Sequence, residues 1–165
     1  MELLTKHITE QQTWKILESV SDPEIPVLSV VDLGIIREVI CDENHVEIVI
    51  TPTYSGCPAM DVISMNIRIA LFEEGITSVK ISQQLSPAWT TDWMTESGKE
   101  KLSAYGIAPP VAITLDEDHL KKLQVPCPLC RSVNTQLISH FGSTSCKALY
   151  QCMECREPFD YFKCH

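Results

Sequence analysis

Two Cys-x-x-Cys pairs stand near the end of the sequence, Cys127-Pro-Leu-Cys130 and Cys152-Met-Glu-Cys155, with twenty-one residues between them. Four thiolates in two tight turns make a tetrahedral sulfur cage of the kind a structural zinc site requires. Backbone N–H groups after each pair can point back at the sulfurs and spread their negative charge. The gap is a little longer than the usual zinc template, and a β-hairpin loop absorbs the extra residues at small entropic cost. A redox dithiol or a pair of disulfides is the competing use of such spacing. Cys146 and Cys164 lie in the same stretch, either as free thiols of a small core or as additional ligands. Six thiols within forty-one residues would also suit an iron–sulfur cluster, although the symmetry of the two pairs favours zinc.

A second thiol is set in a different chemistry. The segment Thr51-Pro-Thr-Tyr-Ser-Gly-Cys57-Pro58 leaves a β-branched run and enters a helical pattern. Pro58 suits the first helical position, which puts Cys57 at the N-cap, where converging N–H groups favour an anion. Gly56 permits a sharp turn, and Thr51, Thr53 and Ser55 offer hydroxyls to a thiolate or a bound ligand. The plain alternative is a cysteine that fills space at a helix start. The Pro-rigid turn Asp22-Pro-Glu24 brings two carboxylates that can bind a metal, orient a partner or cap the turn, and Asp32 before Leu33-Gly34 offers the same choice.

Several elements must position these groups. Thr9-Glu-Gln-Gln12 reads as a capping box, followed by Trp14, Leu17 and Val20 at helical spacing until Pro23 and Pro26. Ile35–Cys41 and His45–Thr51 read as a hairpin around Asp42-Glu-Asn44, with Val46, Ile48 and Ile50 on one face. Met60, Ile63, Ile67, Ala70 and Leu71 give the next helix a buried stripe that Gly75 ends. A third strand over Ile76–Leu85 and a third helix from Thr95 to Tyr105, with Gly106 as its C-cap, complete an α-β-β-α-β-α order. Trp89 and Trp93 follow the third strand at an i, i+4 interval, one closing the core and the other open to a core or a contact role. The predicted fold class is α+β: a small two-layer domain over residues 1–106, a linker over 107–124 that carries at most one short helix, and a β-rich zinc ribbon over 125–165. The last segment alone is too short to hold a core without its metal.

Composition narrows the function. The chain carries −9 overall, made of −10 up to Gln124 and +1 from Val125 onward. Neither part has the clustered cations that displace counterions from phosphates, so nucleic acid is not the expected partner. No apolar run reaches membrane-span length, and eight cysteines with no export signal at Met1-Glu-Leu-Leu-Thr-Lys-His7 point to reduced thiols and a cytoplasmic address. There is no phosphate loop, no dinucleotide fingerprint, and no paired Glu-x-x-His motif of a diiron bundle.

Taken together, Asp22-Pro-Glu-Ile-Pro26, Asp32-Leu-Gly34, Thr51-to-Pro58 and the Pro87-Ala-Trp89-to-Thr95 segment resemble the iron–sulfur-assembly-type domain of SufT-like proteins. With the tail from Phe141 to Cys164, the resemblance extends across the chain to the PaaD family, accessory proteins encoded with the phenylacetyl-CoA epoxidase components. That resemblance implies a maturation or accessory role in aerobic phenylacetate degradation. Its partners would be an oxygenase with a carboxylate-bridged diiron centre and a reductase with a flavin and a [2Fe–2S] cluster. It also implies that Cys57 is the reactive thiol, with Asp22, Glu24, Thr51 and Thr53 around the same pocket, and that Cys127, Cys130, Cys152 and Cys155 hold the ribbon's metal.

The expectation is therefore a non-enzymatic assembly factor in which Cys57 transiently holds iron or a cluster and the ribbon docks a client. One cysteine is too few to hold a cluster, so a homodimer or the client must complete the ligand set. Two rivals differ in class: a stoichiometric, non-catalytic component of the epoxidase complex, and a cysteine-based enzyme that processes acyl-thioesters.

Overall fold

The computed structural model describes residues 7–43, 45–111 and 117–163. Two compact units divide the chain, residues 1–89 and 90–165.

In the first unit, α1 (Glu10–Leu17) starts at a capping box in which Thr9 Oγ1 accepts from the Gln12 N–H and Gln12 Oε1 accepts from the Thr9 N–H. Strands β1 (Ile36–Asp42) and β2 (His45–Ile50) form an antiparallel hairpin with a bulge between Ile36 and Glu38. Helix α2 (Ala59–Glu73) then crosses over to β3 (Val79–Gln83), which lies parallel to β2. The sheet order is β1-β2-β3, so β2 is central, and its Val46, Ile48 and Ile50 are buried. Such a parallel return needs a long connection, and α2 supplies it. Residues Met60, Ile63, Ile67 and Leu71 form the buried stripe of that helix. The third strand is shorter than the expected Ile76–Leu85, because its pairing with β2 runs only from Val79 to Gln83.

The second unit is larger than a bare ribbon. A 3-10 turn (Thr91–Trp93) leads to α3 (Glu96–Tyr105), capped by Thr95 Oγ1 on the Gly98 N–H. Gly106 has a φ of 92°, the left-handed conformation that glycine adopts without strain, and turns the chain into β4 (Ile107–Ala108). Strand β4 pairs in parallel with β7 (Pro158–Phe162), and β6 (Lys147–Cys152) and β5 (Thr135–Ser139) continue the sheet in the order β4-β7-β6-β5.

The segment expected to be a linker is therefore built into this unit. Ala108 and, from α4 (Glu117–Lys122), Leu120 join Val125, Ala148, Tyr150, Phe159 and Tyr161 in one core. Tyr150 Oη donates to the Leu120 carbonyl at 2.8 Å, and the Val111 N–H donates to Tyr161 Oη at 3.3 Å. Helix α3 also packs on β4, so the structure divides the chain after Trp89 and not after Gly106. No helix among the described residues is long and apolar enough to cross a membrane. The architecture is α+β, with a C-terminal β-rich unit that carries four clustered cysteines.

Candidate functional site

The sulfurs of Cys127, Cys130, Cys152 and Cys155 all lie within 4.8 Å of one another. Cys127 and Cys155 are 3.8 Å apart, and Cys130 and Cys152 are 3.5 Å apart. A tetrahedron built on Zn–S bonds of about 2.3 Å has edges of roughly 3.8 Å, so the four sulfurs fit one tetrahedral ion. Thiolates that each bind a different iron of a cluster must stand farther apart.

Each pair sits on a knuckle. In the first, the Arg131 N–H donates to the Cys127 carbonyl at 2.9 Å, and in the second the Cys152 N–H donates to the Glu157 carbonyl at 3.0 Å. Arg131 and Arg156, each just after a second cysteine, have φ of 68°, which completes the two turns in the same left-handed way. Met153 N–H to the Asn134 carbonyl, at 2.8 Å, and Asn134 Nδ2 to Glu154 Oε1, at 2.9 Å, tie the second knuckle to the segment that follows the first.

The electrostatics call for a cation. The Cys155 backbone N–H, and then that of Glu154, point at Cys152 and bring its thiol down to about 7, against the effect of burial. Cys155 receives the Glu157 N–H, which lowers its pKa, yet burial and the sulfurs of Cys152, Cys130 and Cys127 push it up to about 12. One thiolate thus suppresses the next. A divalent ion between the sulfurs would offset the negative charge that Cys152 and Cys155 set against each other.

Cys146 is not brought to this group. It precedes the first residue of β6 whereas Cys152 is the last, a separation along the strand of about 20 Å. Its buried thiol contacts Thr144 Oγ1 at 3.0 Å, and its carbonyl accepts from the Lys163 N–H. Lys163 is buried as well; its Nζ donates to the His140 carbonyl at 2.7 Å and sits 4.4 Å over the Phe141 ring. Burial brings this amine down to about 8, partly offset by the Cys146 sulfur. Cys164 lies outside the described residues.

The second thiol belongs to the β2–α2 connection. Thr51 donates its N–H to the Ile35 carbonyl at 2.8 Å, and its hydroxyl is buried with no hydrogen-bond partner among the described residues. Pro52 is buried behind it, whereas Ser55 and Gly56 are exposed. Gly56 has a φ of 77°, the left-handed turn that redirects the chain. Cys57 follows, half-buried, its N–H on the Tyr54 carbonyl at 3.2 Å and its carbonyl accepting from Met60. The N-cap falls on Pro58, one residue later than expected, with no side-chain capping bond. Proline has helical φ built in and no N–H to satisfy, so it closes the turn itself and leaves the Cys57 side chain free of the capping role. Thr53 is partly exposed in the same loop.

The acidic turn is a backbone device as well as a charge. Asp22 Oδ1 accepts from the Glu24 and Ile25 N–H groups at 2.8 and 2.7 Å, and Glu24 is partly exposed beside it. The loop closes on itself through an isolated bridge between Ser21 and Ser29 and the Asp22 N–H to Leu28 carbonyl bond. Asp32 Oδ2 accepts from the Ser29 N–H while Ser29 Oγ accepts from the Asp32 N–H. Trp89, buried, donates Nε1 to the Leu33 carbonyl at 2.9 Å, tying the far segment to this turn, while Trp93 stays partly exposed.

Comparison with known proteins divides the chain in the same spirit. Residues 10–82 match a family described as iron–sulfur cluster assembly protein, and residues 114–163 match the PaaD zinc β-ribbon domain. A protein of Escherichia coli (strain K12), provisionally named as one of the subunits of 1,2-phenylacetyl-CoA epoxidase, is 52% identical over 93% of this chain and 92% of its own. An Fe–S protein maturation auxiliary factor of Porphyromonas gingivalis is 36% identical over 57% of this chain and 90% of its own. Among solved structures, a domain of unknown function, DUF59, from Bacillus anthracis is 28% identical, with a TM-score of 0.52 over 56% of this chain and 90% of that one. A conserved hypothetical protein of Thermotoga maritima aligns at 28% identity and a TM-score of 0.51, over 60% of this chain and 98% of its own. With an assembly-type domain, a four-cysteine ribbon and whole-length similarity in one chain, the protein belongs to the PaaD family.

Proposed function

We propose that this protein is a non-catalytic accessory factor that matures a metal centre of the phenylacetyl-CoA epoxidase system, with the oxygenase and reductase components as its partners. The observation that carries the reading is the union, in one chain, of an iron–sulfur-assembly domain with a half-exposed thiol and a ribbon whose thiols cluster separately. Two separate thiol sites, one a single cysteine and the other a four-sulfur group, suit two tasks. The four ribbon cysteines would hold zinc, which has no redox chemistry and fixes the fold of the second unit. Cys57, on a loop held by Gly56 and Pro58, would hold iron or a cluster as cargo, with Thr51, Thr53, Asp22 and Glu24 shaping the loops around it. The sequence similarity to a protein named as an epoxidase component and to Fe–S maturation factors supports both halves of this reading. The reducing cytoplasm is the setting that keeps such thiols free.

The name of the Escherichia coli relative also favours a second reading, a stoichiometric component of the complex in which the ribbon is an interaction module. An affinity pulldown from phenylacetate-grown cells, with metal and protein measured on the same sample, separates them. A maturation factor copurifies with the epoxidase components below one-to-one, and a stable component at a fixed ratio. Turnover of an acyl-thioester by the isolated protein would point to a cysteine enzyme and overturn both.

A further inference from the structure

Helix α2 is apolar on two faces, and only one of them is covered. Opposite the stripe of Met60, Ile63, Ile67 and Leu71, four large side chains stand in solvent: Val62, Met65, Ile69 and Phe72, exposed by 47%, 60%, 48% and 66%. Their spacing of three, four and three residues is the seam of a helix that packs along another helix. Contiguous exposed apolar patches of this kind mark interaction sites.

The residues on the seam specify the occupant. If Val62 and Ile69 take the a positions, Met65 and Phe72 take d. β-branched residues at a suit parallel two-stranded packing, with Met65 and Phe72 standing at d where leucine is usual. Arg68 then falls at g and Glu73 at e, five residues apart, so each Arg68 faces the Glu73 of a parallel second copy. Arg68 donates Nη1 to the Val79 carbonyl, and the other nitrogens of its guanidinium fork can serve the contact. In the antiparallel arrangement g faces g, so the same seam would set Arg68 against the Arg68 of the second copy, like charge against like.

We infer that two copies of this chain associate through α2 in parallel, and that this pairing brings the two Cys57 thiols to the same end of the interface. The inference rests on the carrier reading of Cys57 and supplies the second thiol which that reading lacks. Helices packed this way lie about 8–10 Å apart. Cys57 lies two residues before α2, so both thiols flank the same end of the seam. Antiparallel packing would instead hold them about 22 Å or more apart, the length of a fifteen-residue helix. The seam spans only about 15 Å from Val62 to Phe72, which places the contact at the small end of specific interfaces and makes the dimer reversible. Reversibility suits a site that must release its cargo.

The test uses the full chain with its ribbon metal in place. Sedimentation over about 5–500 μM reads the association, which Ile69→Asp should weaken by at least about tenfold. Glu73→Arg should weaken it too, and Arg68→Glu combined with Glu73→Arg should restore it, a rescue that general misfolding would not give. A short bis-maleimide applied to a mixture of isotopically light and heavy protein should yield a mixed Cys57–Cys57 peptide from wild type and not from Ile69→Asp. A monomer throughout, a dimer indifferent to Ile69→Asp, or a dimer without the Cys57–Cys57 link overturns the inference. All of these are read without cargo, so their failure is distinct from a failure of metal transfer, which would overturn the carrier reading alone.

Discussion

Replacing Cys152 with Ser should unfold the whole unit from Thr90 onward, α3 and β4 included, and leave β1–β3 intact. The sequence alone suggests a smaller loss, confined to the ribbon from Val125. The structure enlarges it because Ala108 of β4, Leu120 of α4 and the ribbon aromatics share a core with Cys127 and Cys152 themselves. A unit of this size, residues 90–165, has a net stability of roughly 4–11 kcal/mol at about 0.05–0.15 kcal/mol per residue. A structural metal contributes about 10–16 kcal/mol of apparent folding free energy, so its loss matches or exceeds that margin. The substitution also leaves three of the four sulfurs that lie within 4.8 Å of one another, one ligand short of the tetrahedral cage. Hydrogen exchange on the variant should show amides of Glu96–Tyr105 and of β5–β7 exchanging together at the unprotected rate, while those of Val46–Ile50 stay protected. Retained protection of α3 and β4 alongside an unfolded β5–β7 would refute the shared core and restore the smaller ribbon.

Two further outcomes follow from the second unit. Burial holds Lys163 at about 8 against an ordinary 10.5, so the unfolded chain binds more protons between these values and stability should rise with pH across that window. After discounting for solvent screening, the gain should be on the order of 1–2 kcal/mol, read as the difference between wild type and Lys163→Met in denaturant titrations from pH 7 to 10.5 with metal present. A flat difference would mean the amine is solvated. Arg156 has a φ of 68°, a conformation that disfavours a side chain by about 1–2 kcal/mol, whereas glycine there gives back roughly 0.5–1 kcal/mol in chain entropy. Arg156→Gly should therefore stabilise the unit by about 0.5–1 kcal/mol, and a lower denaturation midpoint would show that the guanidinium has a structural task.

Much of this was legible because local chemistry decided it. The capping box at Thr9, the β1–β2 hairpin, the Thr95 cap and the Gly106 stop are short-range signals, and each is present. The two knuckles were equally readable, since two Cys-x-x-Cys pairs at that spacing match the ligand set of a tetrahedral metal site. What escaped the sequence depends on long-range pairing. Strand β4 is two residues long, and only its ladder with β7 makes it a strand. Leu120 looks like one apolar residue in a charged helix until Tyr150 and its neighbours close over it. Cys146 resembles a fifth ligand in spacing, and only the length of β6 shows it at the other end of the sheet. The second apolar face of α2 was visible at positions 62, 65, 69 and 72, but a helix with two such faces reads simply as buried until one of them is found in solvent.

The central claim is that Cys57 delivers a metal centre and takes no part in oxygenation. It is tested most directly by epoxidase purified from cells carrying wild type or Cys57→Ala, assayed for iron in the oxygenase component and for cluster in the reductase. The Cys57→Ala protein should fold and keep its ribbon metal, because Cys57 lies in the first unit and outside the four-sulfur group. The account predicts an inactive epoxidase with a deficit in one of the two centres, and the deficient centre identifies the client. Full occupancy of both centres, with activity restored in proportion to added protein, would contradict it and make this chain a working part of the epoxidase itself.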